Sequence, residues 1–294
     1  MHCPPRGRSA RLGAARRGAE VSLSAVTLAR VVPLRRPWLW LSSALVLALV
    51  AALAVSIWSN PHIDHAAIAQ FQFAPAIMKG LRLTIVLALL AAVIGTVLGI
   101  LLAIMRLSSS AVLRLFSGAY TWLLRGTPLL VQILIWGNLA LLFQHIGPFD
   151  TNTLVTPFIA SVIALGLNEA AYMAEIVRAG IESVDQGQVD ASLALGMSRA
   201  LEMRRIILPQ ALRVIIPPAG NQFISLLKAT SLVSVIAGGD LLTAAENISS
   251  ANLKTIELML VATFWYLAIT SVTSVGQYLV ERRLARAGTG LRAR

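Results

Sequence analysis

The sequence predicts an all-α fold: a polytopic helical membrane protein with six transmembrane helices. Of its 294 residues, 57% are hydrophobic and only 13% are charged, whereas about 25% of an ordinary soluble domain is charged. The charges are also clustered, so that five stretches contain no Lys, Arg, Asp or Glu, and a sixth contains only Lys228. Each stretch can hold the ~17–25 residues with which a helix crosses a hydrocarbon core. This composition excludes a soluble globular enzyme and a disordered chain.

The first predicted span covers residues 38–57. Arg35 and Arg36 precede it and small residues lie near its end, a pattern that also suits a cleavable signal peptide. We favour a retained helix, because the apolar run of about twenty residues exceeds the ~7–15 residues of a signal core. The remaining spans are expected at about 83–105, 128–146, 154–173, 214–237 and 256–280.

Glycines and prolines give these spans local detail. Gly95 and Gly99 lie four residues apart in the second span and form a small-residue face on which another helix can pack closely. Pro128 is expected to open or kink the third span, since a missing N–H costs nothing in a first turn. Residues 59–79, with two prolines as breakers, and 238–255 are expected to be connections.

The distribution of positive charge predicts the orientation. Twenty Lys and Arg residues fall in the N-terminal tail, the loop 106–114, the segment 174–213 and the C-terminal tail, and three fall in the connections on the other face. Because Lys and Arg concentrate on the cytoplasmic side, we expect both termini and residues 174–213 to be cytoplasmic. The net charge of +12 is therefore interpreted as a topology signal. A nucleic-acid partner is not expected, because no aromatic residues for base stacking interleave with the N-terminal arginines.

Residues 189–209 show the pattern of a short helix, a glycine turn, a second short helix and a proline. Asp190 is expected to cap the first helix, since its charge suits the positive end. Gly196 supplies a turn residue that tolerates positive φ. A short helix of this kind can insert into a groove on a partner protein, although periodicity alone leaves a plain connecting hairpin open. No Gly precedes a Lys anywhere, so a P-loop is absent and another chain must hydrolyse any nucleotide.

This segment resembles the cytoplasmic coupling loop of ABC importer permeases. The pattern of that loop is Glu-Ala-Ala, three residues, Gly, nine residues, Ile, one residue and Leu-Pro. The matching residues of this chain, with every spacing kept, are Asp190, Ala191, Ser192, Gly196, Ile206, Leu208 and Pro209. The resemblance implies that these residues contact a separate ATPase subunit.

Four further motifs resemble those of permeases for polar amino acids, the group that imports histidine, glutamine, glutamate, arginine and related compounds. The motifs are RGTPLLVQ at 125–132, NEAAYMAEIVR at 168–178, LPQALR at 208–213, and GNQFISLLK at 220–228 followed by TSL at 230–232. Members of that family often have Asp between the Lys and Thr of the last motif, whereas this chain has Ala229.

The resemblance covers about residues 76–285 and implies a five-helix type I importer core. The expected divisions are an Arg-rich cytoplasmic tail at 1–37, an extra helix at 38–57, the permease domain at 76–281 with its coupling loop at 174–213, and a basic cytoplasmic tail at 282–294.

A polar stripe in the fifth span is the candidate substrate path. Asn221, Ser225, Lys228 and Ser231 recur at spacings that place them on one helical face. An ammonium within a span usually faces a partner or a wet cavity, so Lys228 is expected to attract an amino-acid carboxylate. Snorkelling, or a structural pair with an acid on another helix, is the alternative. The complete candidate set for the path is Asn221, Gln222, Ser225, Lys228, Thr230 and Ser231.

A second group of candidates is expected to join the coupling loop to a gate, namely Arg125, Glu169, Tyr172, Glu175 and Arg178. For Glu175 and Arg178 the alternative is an ion pair that only stabilises a helix end. Arg125 is alternatively an interfacial anchor. His62 and His65 lie three residues apart, but two ligands do not make a metal site, and no metal is expected.

These observations predict the permease subunit of an ABC importer for polar amino acids, in the cytoplasmic (inner) membrane and without enzymatic activity of its own. The resemblance implies a pair of ATPase subunits that hold ATP and Mg²⁺, an extracytoplasmic solute-binding protein, a second permease chain, identical or related, and surrounding lipids. No cofactor is expected in this chain. The alternative is an ion-coupled secondary transporter, which would show inverted repeats that we do not find.

Overall fold

The computed structural model describes residues 37–289. The predicted tail at 1–37 therefore lies almost entirely outside the described residues, as does the end of the chain from residue 290. The described chain forms two compact units, 37–60 and 61–289. The first unit consists mainly of helix α1 (Pro37–Trp58), whose 22 residues coincide with the first predicted span.

Two helices open the second unit, α2 (His65–Phe71) and α3 (Pro75–Leu107). The prediction that the second span begins near Leu83 is wrong, because α3 begins at Pro75 and is 33 residues long. Proline fits the first turn of a helix, where its N–H would have no partner and its fixed φ is already helical. Pro75, which was predicted to be a helix breaker, is thus the first residue of α3.

The chain continues through short elements: α4 (Ala111–Gly126), α5 (Leu129–Gly137), α6 (Leu139–Leu142), an antiparallel hairpin of β1 (His145–Ile146) and β2 (Phe149–Asp150), and α7 (Thr151–Leu154). The prediction of one span at 128–146 is therefore wrong. The backbone and side-chain amides of Asn138 both donate to the Leu134 carbonyl, at 3.0 and 2.9 Å. Such side-chain bonds compete with helix continuation. Gly147, with φ of +61°, then supplies the turn of the hairpin.

The remaining elements are α8 (Pro157–Glu182), α9 (Gln186–Ala194), α10 (Arg199–Glu202), a π-helical turn (Met203–Ile207), α11 (Leu208–Ala229), a 3₁₀ helix (Thr230–Ile236), α12 (Leu241–Asn252) and α13 (Thr255–Thr289).

Three expected boundaries in this half of the chain are corrected. The fourth span continues past residue 173 to Glu182, and the expected connection 238–255 contains α12. Asp240 begins α12 by accepting hydrogen bonds from two amides of its first turn, the kind of cap that fixes a helix start. The predicted tail at 282–294 begins as the end of α13.

Helices α3 and α8 approach each other closely through glycines. A Cβ at Gly95 would lie 2.4 Å from Glu169 Cγ, and one at Gly99 would lie 2.6 Å from Met173 Cβ. Neither position can hold a larger residue unless the helices move apart. The predicted small-residue face is therefore confirmed, and it fixes the helix that bears the candidate gate residues.

Within residues 37–289, three helices are long and apolar enough to cross a membrane: Pro75–Leu107, Pro157–Glu182 and Thr255–Leu284. A fourth span results if α10–α12, which bend by 43° at one break, are counted together. Helices α4 and α5 are separated by the break at 127–128, and each is too short to be counted as a span by itself. The expected total of six spans therefore stays a prediction.

Candidate functional site

A cavity of about 340 Å³ lies between α8, α11 and the break that separates α4 from α5. We call it the polar cavity. Its lining residues are Thr127, Leu129, Asn168, Glu169, Tyr172, Gln222, Ser225, Leu226 and Ala229. Two groups of residues that the sequence suggested separately, gate candidates on α8 and path candidates on α11, thus meet in one place.

Glu169 is the acidic residue among the described lining residues of this cavity. Its side chain is held between α3 and α8, only 3% of the residue is exposed, and Gly95 provides the necessary space. One carboxylate oxygen accepts a hydrogen bond from Gln222 Nε2 at 2.9 Å. This bond links α8 to α11 and orients the carboxylate, because a buried charge is stable only where it is hydrogen-bonded.

Two amide side chains that the sequence did not single out as site residues hold the α4–α5 break against α8. Gln132 Nε2 donates to the Leu124 carbonyl and to Thr127 Oγ1, both at 2.8 Å. Asn168 Nδ2 donates to the same Leu124 carbonyl at 3.0 Å and to Gln132 Oε1 at 3.1 Å. The signal was present in the sequence, since amides inside apolar runs must find partners. The network fixes the backbone next to Arg125.

A second cavity, of about 400 Å³, adjoins the first. We call it the arginine cavity, and its lining residues are Arg106, Gly118, Thr121, Trp122, Arg125, Gly126 and Tyr172. Tyr172 lines both cavities. The Arg125 guanidinium carbon lies 5.2 Å from the centre of the Tyr172 ring, within the range of a cation–π contact.

The predicted polar stripe on α11 is only partly formed. Asn221, Ser225 and Lys228 are exposed, but α11 ends at Ala229. Thr230 is fully buried with its hydroxyl bonded to a backbone carbonyl, and Ser231 belongs to the 3₁₀ helix. The prediction of one continuous helical face is wrong, because the tighter 3₁₀ turn changes the direction of the side chains.

Lys228 does not line the polar cavity. Among residues 37–289 no acidic side chain pairs with its ammonium, so the structural ion pair considered as an alternative is not formed there. Ser231 Oγ donates to the Lys228 carbonyl at 2.8 Å, which involves the backbone rather than the ammonium.

Glu175 and Arg178 lie further along α8 and outside both cavities. Arg178 bonds to Glu175 at 2.7 Å and to Glu182 at 2.5 Å, all on the same helix. This arrangement is the one expected of a pair that stabilises a helix end.

The coupling segment, residues 185–209, differs from the expectation at its start. Asp185 rather than Asp190 caps α9, by accepting a hydrogen bond from the Gly187 amide at 2.9 Å. Asp190 lies inside the helix, where it accepts from Gln186 Nε2 at 3.1 Å. The helix simply begins earlier, because the carboxylate of Asp185 caps its first turn.

The middle of the coupling segment projects an apolar side chain. Gly196 adopts a left-handed φ of +70°, as predicted, and ends the turn after α9. Leu195, next to it, is 81% exposed, and Ala191 is also exposed, whereas Ser192 is buried with its hydroxyl bonded to the Val189 carbonyl at 2.8 Å. One side of the segment is anchored and the other is free for a partner.

The end of the coupling segment joins it to α11. Ile207 is buried in a cluster with Met173 and Val177 of α8. Ile206 is half-buried, Leu208 is exposed, and Pro209 occupies the first turn of α11. The segment is thus packed against α8 and continuous with α11, the two helices that line the polar cavity.

The sequence matches the family model described as the binding-protein-dependent transport system inner membrane component over residues 95–286. The chain belongs to this family. It is 43% identical over 263 residues to the arginine transport system permease protein ArgU of Corynebacterium glutamicum, covering 87% of this chain and 83% of that protein. It is 40% identical over 218 residues to the L-cystine transport system permease protein TcyB of Bacillus subtilis, covering 74% and 90%.

A solved crystal structure of an amino acid ABC transporter with histidines has a similar fold. Its TM-score is 0.68 at 38% identity, and the match covers 75% of this chain and 99% of that chain. Both the predicted family and the all-α membrane fold are thereby confirmed. The permease family match includes both cavities and the coupling segment, whereas α1 lies outside it.

Proposed function

We propose that this chain is the membrane-spanning subunit of an ABC importer that moves polar amino acids across the cytoplasmic membrane. The observation that carries the proposal is the polar cavity, where Glu169 and Gln222 face a space bordered by Asn168 and Ser225. Its volume of about 340 Å³ is that of a small-ligand site. A carboxylate with neighbouring amides and hydroxyls suits the ammonium group and polar side chain of an amino acid.

The exposed Asn221, Ser225 and Lys228 extend this site along α11 and, with Gln222, form the substrate path of the proposal. Ala229 lines the cavity where many polar-amino-acid permeases have Asp. Glu169 then faces the substrate without a second acid from this position, which favours amino acids whose side chain is polar rather than strongly cationic.

The coupling segment carries the proposed contact with the ATPase pair, and its exposed Leu195 is the side chain most available to enter a groove. ATP and Mg²⁺ belong to that partner, and a solute-binding protein delivers the amino acid from the opposite face. A second permease chain completes the path. The concentration of Lys and Arg at the termini and in 174–213 supports a cytoplasmic position for all three.

In this mechanism ATP binding draws the coupling segments together and shifts α8 and α11, on which Ile207 rests. The permease thereby exchanges an outward-open for an inward-open state, and each ligand shifts the balance through its different contacts with the two states. Tyr172, held by Arg125, is the proposed gate on the cytoplasmic side of the polar cavity.

Reconstitution tests the proposal. The chain is co-purified with its ATPase subunits and placed in liposomes with a solute-binding protein and radiolabelled arginine, histidine or glutamine. We expect uptake that requires ATP on the side of the membrane where the ATPase subunits lie. Vanadate should stop this uptake. Uptake driven by an ion gradient without ATPase subunits would instead establish a secondary transporter.

A further inference from the structure

The arginine cavity has a composition that the proposed transport mechanism does not use. Two arginines, Arg106 and Arg125, line it, and no acidic residue is among its described lining residues. The polar cavity, which shares Tyr172 with it, contains the acid Glu169. Groups of opposite charge thus line two cavities that share one aromatic residue.

Arg125 is exposed on the described chain and stands at the level of the middle of α8. The carbonyl of Leu124, the preceding residue, accepts the Asn168 side-chain bond at 3.0 Å, and Asn168 is near the middle of α8. Charged side chains at such depth face a partner or a water-filled cavity, because lipid does not solvate them.

The Arg125 guanidinium has donors to spare. Within the described residues its one contact is with the face of Tyr172, and no carboxylate or carbonyl accepts from it. The Gln132–Asn168 network holds the adjoining backbone in place, so the group is positioned but not engaged. A planar fork of free N–H groups is the arrangement that binds carboxylates with two parallel hydrogen bonds.

Arg106 adds a second guanidinium. It lies across Gly118 of α4, where a Cβ would stand only 1.9 Å from its Nη1, and that nitrogen donates to the Arg114 carbonyl at 3.0 Å. Arg106 lines the same cavity as Arg125.

We infer that the arginine cavity is a carboxylate-binding site for the transported amino acid, with Arg125 as the residue that contacts the carboxylate. This inference rests on the proposed function and adds to it a second binding station beyond Tyr172. The amino acid first binds at Glu169, then passes Tyr172, and its carboxylate binds Arg125 at this second station. The ligand class is the α-carboxylate of a zwitterionic amino acid.

The test measures binding to the permease–ATPase complex in phosphatidylcholine nanodiscs without the solute-binding protein, so that selection by that protein does not interfere. The probes are radiolabelled L-arginine, L-histidine and L-glutamine, each in competition with its own α-carboxamide. For the amino acid that binds, we expect the carboxamide to bind about 10- to 100-fold more weakly, the loss typical of one charged hydrogen bond.

In Arg125→Gln we expect the affinity for the amino acid to fall by about 10- to 100-fold while that for the carboxamide is unchanged, so that the two become equal. Arg125→Lys keeps the charge but lacks the planar fork, and a smaller loss is expected. If the complex with Arg125→Gln does not assemble, the comparison with wild type is made with Arg125→Lys. Arg82→Gln, an exposed arginine of α3 outside both cavities, is the matched control and should bind as wild type does.

Unchanged preference for the acid over the carboxamide in either Arg125 variant overturns the inference, as does an equal loss for both compounds, which would indicate a structural or lipid-binding role. If Glu169→Gln weakens binding while Arg125→Gln does not, the proposed function stands and the inference alone fails. If none of the three amino acids binds to the wild-type complex, the proposed function and the inference fall together.

Discussion

At the scale of single residues, Glu169 is the charge on which the proposed recognition of the substrate depends. Its burial and its bond to Gln222 keep a carboxylate oriented toward the polar cavity. The motif at 168–178 singled out Glu169 as a gate candidate, but it did not predict that this acid lines the polar cavity. Its hydrogen-bond partner could not be predicted from the sequence, because Gln222 lies 53 residues away and only the packing of α8 on α11 brings the two together.

Glu169→Gln keeps the shape of this side chain and removes its charge. We expect amino-acid uptake by the reconstituted importer to fall by about 10-fold or more, because a charged hydrogen bond is worth ~1.5–3 kcal/mol. Uptake of the radiolabelled amino acid at several concentrations is the measurement. Glu246→Gln, an exposed acid on α12 outside the polar cavity, serves as the control. Wild-type uptake in Glu169→Gln would remove this residue from the site.

The close approach of α8 to Gly95 predicts that a larger residue at this position lowers the stability of the chain. In Gly95→Ala the new methyl group would meet Glu169 Cγ at 2.4 Å and force α3 from α8. Overpacking of this kind costs about 1–3 kcal/mol, and the thermal midpoint of the purified chain in detergent should fall. Gly276→Ala on α13 is the matched control, as nothing lies within 4 Å of its added Cβ. It should be neutral or slightly stabilising, because Ala is the better helix former. Equal midpoints for both variants would contradict the packing argument.

At the scale of elements, the coupling segment shows which features a sequence reveals. The glycine turn and the terminal proline were predicted correctly at Gly196 and Pro209, because local backbone demands identify them. The first cap was not, since Asp185 and Asp190 are both reasonable caps and only the fold decides between them. The prediction of the third span was wrong for a similar reason. Whether an apolar run breaks at Asn138 depends on which carbonyl the side chain of that residue reaches.

Leu195→Asp tests the coupling segment directly. The side chain is 81% exposed, so folding should not suffer, whereas an apolar anchor lost from a partner groove typically costs ~2 kcal/mol or more. We expect the amount of ATPase subunit that co-purifies with the chain to fall by about 10-fold or more. Leu253→Asp is a suitable comparison, because that leucine is 86% exposed and lies in the connection to α13, outside the coupling segment. Equal retention of ATPase by both variants would disprove a docking role for Leu195.

At the scale of the whole molecule, the contacts between distant parts of the chain were the least predictable. Asp64, just before α2, pairs with Lys254 at 3.1 Å, and its amide donates to Glu257 Oε1 at 2.9 Å. These bonds join the beginning of the second unit to the start of α13. No local pattern in the sequence relates residues so far apart, whereas the membrane class, the family and the helical content followed from composition and motifs.

The ion pair between Asp64 and Lys254 predicts that the stability of the folded chain depends on pH. The hydrogen bond from Lys254, aided by the Ala67 amide, lowers the pKa of Asp64 below its ordinary value. The folded state therefore gains from the ionised carboxylate above the unfolded pKa of ~3.9, and loses that gain as the pH falls through the folded pKa. In Asp64→Asn we expect a thermal midpoint that changes less between pH 5 and pH 3 than that of wild type. The difference should be small, since the pair is partly exposed. Parallel curves for the two proteins would show that the pair does not contribute.

Arg106 and Gly118 have a consequence for how this chain can diverge. The guanidinium occupies the volume where a β-carbon at position 118 would stand. A larger residue at 118 is therefore compatible with the present spacing of α3 and α4 only if the side chain at 106 is shortened or turned away. Related chains that enlarge position 118 should therefore tend to carry a shorter side chain at 106, and where Arg is kept there its guanidinium must take another direction.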